Sequence, residues 1–100
     1  MKVNFNMPFV NYKGEPIMES GKEKMIKDVV AATLCEGHWQ MRLPNVPGEE
    51  KLRSYNLSSK IFESTGEIEI SVEDAVMIKD AVLPALNPGG YGQVVALIEQ

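Results

Sequence analysis

The chain has 100 residues, of which 44% are hydrophobic and 24% charged, a balance that fits one globular domain, 1–100, with a modest core and excludes a disordered tail. Ten Lys and Arg against fourteen Asp and Glu give a net charge of −4, with the bases scattered, which disfavours direct nucleic-acid binding because that needs clustered basic side chains to neutralise phosphates. No stretch approaches the roughly 20 apolar residues of a membrane span, the start lacks the apolar run of a signal peptide, and Cys35 is the single cysteine, so the expected setting is a reducing cytoplasm.

Val3, Phe5 and Met7 alternate with Asn4 and Asn6, which predicts a strand with the apolar set facing the core and Pro8 ending it or holding it at an edge. Residues 11–17 supply a Gly-containing turn, and Glu15 to Met18 a second short extended piece. Ser20 with Glu23 reads as a capping box, in which hydroxyl and carboxylate each satisfy a free N–H at a helix start. Met25, Ile26, Val29, Val30, Thr33 and Leu34 then recur at helical spacing, with Gly37 as a left-handed terminator.

Residues 38–48 hold two prolines and a glycine and are expected to be a surface loop. A second helix is predicted from about Glu49 to about Glu63, burying Leu52, Tyr55, Leu57, Ile61 and Phe62, and stopped by Ser64, Thr65 and Gly66. Glu67 to Ser71 alternates as a strand with Ile68 and Ile70 on its dry face. Ser71 and Asp74 open a third helix carrying Val72, Ala75, Val76, Ile78, Val82 and Leu83, which Pro84 ends because it cannot donate to the carbonyl of Asp80. Pro84, Pro88, Gly89 and Gly90 reverse the chain so that Val94, Val95, Leu97 and Ile98 return to the core. The predicted fold is α+β, three to four helices packed on a small β-sheet built from the N-terminal extended segments and Glu67 to Ser71.

Met-Ile-Lys-Asp occurs at 25–28 and again at 77–80, an offset of 52. Aligning 14–37 with 66–89 at that offset matches nine of twenty-four positions, including Gly14 with Gly66, Glu15 with Glu67 and Gly37 with Gly89. Two pseudo-symmetric strand–helix units account for this, and so does a chance sharing of residues between two amphipathic helices; the residues leave both open.

Chemistry finds little foothold. The stretch from Asn87 to Gln93 lacks the Lys and hydroxyl of a phosphate loop and the glycine spacing of a dinucleotide fingerprint, so it reads as a turn, with an anion at the last helix's N-terminus as the weaker alternative. Cys35 and His38 are close in sequence, but a nucleophilic pair also needs an orienting group and an oxyanion site, and Cys35 reads as a small apolar residue late in a helix. Asp28 and Asp80, the repeated acids, read as members of solvated helix faces. Neither zinc nor calcium ligand spacing is present. The expectation is therefore no catalytic residue, no cofactor and no metal. Trp39, Met41 and Leu43, spread along the proline-rich loop, are of the types favoured in protein interfaces and are the candidate contact residues, with burial of Trp39 in the core as the equal alternative.

Taken in order, YKGEPI, a helix, LRSYNLSSKIFE, GEIEISVEDAVMIKDAV and a terminal YGQVVALIE resemble a class of small proteins encoded by bacteriophages and prophages. This chain departs from that class in residues 38 to 48, which look like an extra loop, and in a more glycine-rich NPGGYG. The resemblance carries no established activity or catalytic residues; the expectation drawn beside it is a phage accessory or assembly protein in the cytoplasm of a bacterial or infected host cell. The sequence reading is thus a non-enzymatic protein–protein interaction module that self-associates as a homo-oligomer or binds a larger protein. The alternative is an acidic regulator or inhibitor that presents Glu49, Glu50, Glu63, Glu67, Glu69, Glu73 and Asp74 to a nucleic-acid-binding partner.

Overall fold

The computed structural model describes residues 1–37 and 46–99. Strand β1 (Lys2–Asn4) is followed by the hairpin strands β2 (Met18–Glu19) and β3 (Lys22–Glu23), then helices α1 (Ile26–Glu36) and α2 (Gly48–Glu63), strand β4 (Glu67–Glu69), and helices α3 (Val72–Val82) and α4 (Pro88–Ile98). This is the α+β architecture that the residue patterns predict. The strands form two separate antiparallel pairs rather than one sheet: β1 with β4, in the register Val3 to Ile68, and β2 with β3.

The N-terminal segment does more than pair with β4. Val3, Phe5 and Phe9 are buried, whereas Met7, expected beside them, is exposed, because regular pairing stops at Asn4 and the strict alternation stops with it. The carbonyls of Phe5 and Met7 instead accept from the N–H groups of Lys27 and Ile26 at 2.9 and 2.8 Å. The first donors of a helix have no partner within it, and here the extended segment supplies one.

Those contacts correct the expected helix start. Ser20 and Glu23 do not cap α1, which begins six residues after Ser20 (26 − 20) with Met25 as a cap that makes no side-chain hydrogen bond. Ser20 and Gly21 are the central residues of the β2–β3 hairpin, where Glu19 faces Lys22, and both have positive φ, 53° and 79°. A two-residue loop with both φ positive is the turn whose twist matches antiparallel strands. Serine pays a steric penalty there that asparagine largely escapes. Ser20→Asn is expected to raise stability by about 0.5 kcal/mol, read from the urea midpoint; a midpoint that stays put or falls contradicts the turn assignment.

Gly37 ends α1, but not in the left-handed conformation: its φ is −55°, and a Cβ there would lie 2.4 Å from the backbone oxygen of Thr33. Close approach, rather than a positive φ, selects glycine. The third helix starts as predicted, with Ser71 Oγ accepting from Asp74 N and Asp74 Oδ2 accepting from Ser71 N, both at 3.0 Å. Helix α4 starts at Pro88 itself, with Asn87 Oδ1 accepting from Gly90 N at 2.8 Å, so the glycine-rich stretch is the cap and first turns of a helix. Gln93 reaches from α4 back to Val10, accepting from its N–H at 2.8 Å and donating to its carbonyl at 2.9 Å, as a neighbouring strand would.

Helix α1 carries both α2 and α3 on its sides, and α4 closes against α3 and β1. The core between them is Phe5, Val30, Leu34, Ile61, Ile70, Ile78, Val82 and Val94, with their neighbours. The two halves of the sequence repeat do not superpose as structure. At the offset of 52, the start of α3 at Val72 falls on Ser20, in the hairpin turn, while α1 starts at Ile26. β4 pairs with β1, whereas the extended pieces of the first copy pair with each other.

Candidate functional site

The residues that build a surface here come from a choice of helix face. On α2 the buried set is Ser54, Leu57, Ser58 and Ile61. Ser54 Oγ donates to the carbonyl of Leu34 at 2.7 Å and Ser58 Oγ to that of Ala31 at 2.8 Å, so the serines seat α2 against α1 with their polar atoms satisfied. Leu52, Tyr55 and Phe62, predicted to be core, are 60, 57 and 60% exposed. At 3.6 residues per turn they fall on one stripe, rotated away from the buried face.

Helix α3 repeats the pattern. Ala75, Met77, Ile78 and Val82 are buried, while Val72, Val76 and Leu83, predicted as core, face solvent. In both helices apolar residues cover a wider arc than one packed face can bury, and that excess width is the sequence signal for an exposed apolar face.

Grooves result between these elements, and three of them bear on the surface described. One, of about 390 Å³, runs between α1 and α2 over Ala32, Cys35 and Ser59, with Phe62 on its wall and Asp28, Glu36 and Glu63 at its rim. A second, of about 670 Å³, lies on the other flank of α2, between it and α3; Pro47, Val72, Val76 and Met77 are its apolar lining and Glu49, Glu50, Glu73 and Asp80 its carboxylates. A third, of about 700 Å³, is formed by Phe9, Tyr12 and Ile17 against Leu86, Asn87 and Pro88, with Lys24 as its one charged group.

Cys35 is exposed on α1 rather than packed as a small core residue. Asp28 and Asp80 line different grooves, so the repeated acids are not brought together. His38 and the three candidate contact residues, Trp39, Met41 and Leu43, lie outside the described residues. Among the described residues no group of three or more His, Cys, Asp or Glu is placed to hold a metal ion, and no helix is long and apolar enough to cross a membrane.

The acids also divide by role. Glu69 Oε2 sits 2.8 Å from the α-ammonium of Met1, which holds its carboxyl below the usual range by hydrogen bonding and charge. Asp74 caps α3 and lies 3.8 Å from Arg53. Glu63 rims the α1–α2 groove, and Glu49, Glu50 and Glu73 rim the α2–α3 groove. Glu63 is thus set apart, across α2, from Glu49, Glu50 and Glu73.

No protein-family model matches the chain, and no solved structure matches it. Among curated proteins, it is similar to "Mediator of RNA polymerase II transcription subunit 27" from Arabidopsis thaliana, with 27% identity over 88 residues. That alignment covers 88% of this chain and 22% of the relative, so the chain spans about a fifth of that protein's length.

Proposed function

We propose that this chain is a non-enzymatic protein–protein interaction module that self-associates through α2. The observation that carries the reading is the exposed stripe of Leu52, Tyr55 and Phe62, large apolar side chains set side by side on a helix whose other face already fills the core. A second copy suits it. Helix α2 balances Lys51, Arg53 and Lys60 against Glu49, Glu50 and Glu63. An antiparallel pairing about the stripe's midpoint sets Leu52 against Phe62 and Lys51 against Glu63 of the other copy, an arrangement that two-fold symmetry repeats.

An accessory or assembly role of the phage type that the sequence resembles, in a bacterial or infected host cytoplasm, belongs to this proposal. The similarity to part of a protein named as a subunit supports an interacting role without fixing the assembly. The acidic-regulator reading draws on Glu49, Glu50, Glu73 and Asp80, which gather round one groove.

Sedimentation velocity across a wide concentration range tests the proposal. The natural chain is expected to form a dimer as concentration rises, and Leu52→Glu with Phe62→Glu to remain monomeric; at dilutions where the parent too is monomeric, the two unfolding free energies are expected to agree within about 0.5 kcal/mol, because both positions are exposed in the single chain. Lys51→Glu is expected to weaken the dimer and Lys51→Glu with Glu63→Lys to restore it. A chain that stays monomeric throughout, or a dimer indifferent to the double substitution, overturns the reading.

A further inference from the structure

The larger groove beside α2 calls for a different occupant. Helices α2 and α3 both pack chiefly on α1, and an open lane runs between them. Val72 and Val76, one helical turn apart and 66 and 49% exposed, line that lane with Met77 and Pro47. Both walls are acidic: Glu49 and Glu50 stand on α2, Glu73 and Asp80 on α3. Among the described residues the one base in the lining is Arg53, which lies 3.8 Å from Asp74.

We infer that this groove receives a basic amphipathic helix from a partner protein. This rests on the interaction-module reading and names the partner's chemistry. Two helical walls with an apolar floor accept a third helix, whose side chains at spacings of three and four residues fill the floor. Carboxylates on both walls require cationic residues on both flanks of that helix, and complementary charge sets which partners are admitted. None of the described helices of a second copy supplies it. Its helix α1 offers Lys27 against Asp28 and Glu36, α2 is balanced, α3 offers Lys79 against Glu73, Asp74 and Asp80, and α4 has no charge from Pro88 to Ile98.

The test uses two synthetic helical peptides that share leucines at positions i, i+3, i+4 and i+7, one with lysine and the other with glutamate at every remaining position. Each is titrated into the full chain while amide chemical shifts are followed by NMR. The lysine peptide is expected to bind, to move the signals of Arg53, Val72, Val76 and Met77 most, and to lose at least roughly tenfold in affinity with Glu73→Lys plus Asp80→Lys, and again with Val76→Lys. The glutamate peptide is expected not to bind. Absence of binding by the lysine peptide, equal binding by both, or shifts centred on Asp28, Cys35 and Glu63 each overturns the inference. The α2 dimer is scored separately by sedimentation, so either proposal can fail while the other stands.

Discussion

Replacing Phe5 with alanine is expected to destabilise the fold by about 3–5 kcal/mol, measured as a lowered urea midpoint with an unchanged slope. The ring is fully buried in the core, and no polar group is at hand to refill the space. The loss is not confined to one cavity. Phe5 also holds the carbonyl that receives Lys27 N, so a shift of the segment into the void loosens the start of α1 as well. Against a total stability of about 5–15 kcal/mol for a chain this size, a loss of that order removes a large share of the margin. Met7→Ala, two residues on, is the control: that side chain is 43% exposed, and its removal is expected to change stability by no more than about 0.5 kcal/mol. Equal losses at the two positions would contradict the described packing.

Ser54→Asp tests the seam between α1 and α2. The Ser54 hydroxyl is 1% exposed and donates to the carbonyl of Leu34. A carboxylate in its place accepts only, so it would face a carbonyl oxygen with no donor and remain an unpaired buried charge, at about 3–5 kcal/mol. Burial favours the neutral acid, so the carboxyl of the folded variant titrates above its unfolded value. The sign follows from proton counting: below the unfolded value both states are protonated and the penalty is absent, and it grows as pH rises towards and through the folded value. The variant is therefore expected to approach the parent's stability near pH 3 and to lose most at neutral pH, measured by urea unfolding across that range. Ser54→Ala, which loses one hydrogen bond and introduces no charge, is expected to cost about 1 kcal/mol with no pH dependence. A carboxylate variant as stable as the alanine variant at pH 7 would mean that the seam is open to water.

Local chemistry makes much of this fold legible. Ser71 with Asp74, Pro84 after α3, and the alternation around Ile68 and Ile70 each mark a boundary with residues a few positions apart; the structure places the cap and the helix end as read, and the strand from Glu67 to Glu69, short of the expected Ser71. The start of α1 is different. Ser20 and Glu23 have the spacing of a cap, yet a serine followed by glycine also suits a tight hairpin, and the matter is decided by carbonyls at Phe5 and Met7, well upstream. The candidate site is the harder case for the same reason. Leu52, Tyr55, Val72 and Val76 carry the hydropathy of core residues. The exposure of Leu52 and Tyr55 follows from the serines that seat α2 on α1, and that of Val72 and Val76 from the face by which α3 packs, arrangements that periodicity within one helix does not specify.

The pairing of β1 with β4 joins Val3 to Ile68, positions 65 apart (68 − 3). During synthesis the earlier strand must wait, unpaired, while both of the first two helices emerge, and closing so wide a loop is the slow step expected of distant contacts. Its exposed amides are an invitation to the wrong neighbour throughout that interval. Lys2 and Pro8, which bracket Val3, Phe5 and Met7, therefore serve a nascent chain as well as a finished one, by keeping the waiting segment a poor seed for aggregation.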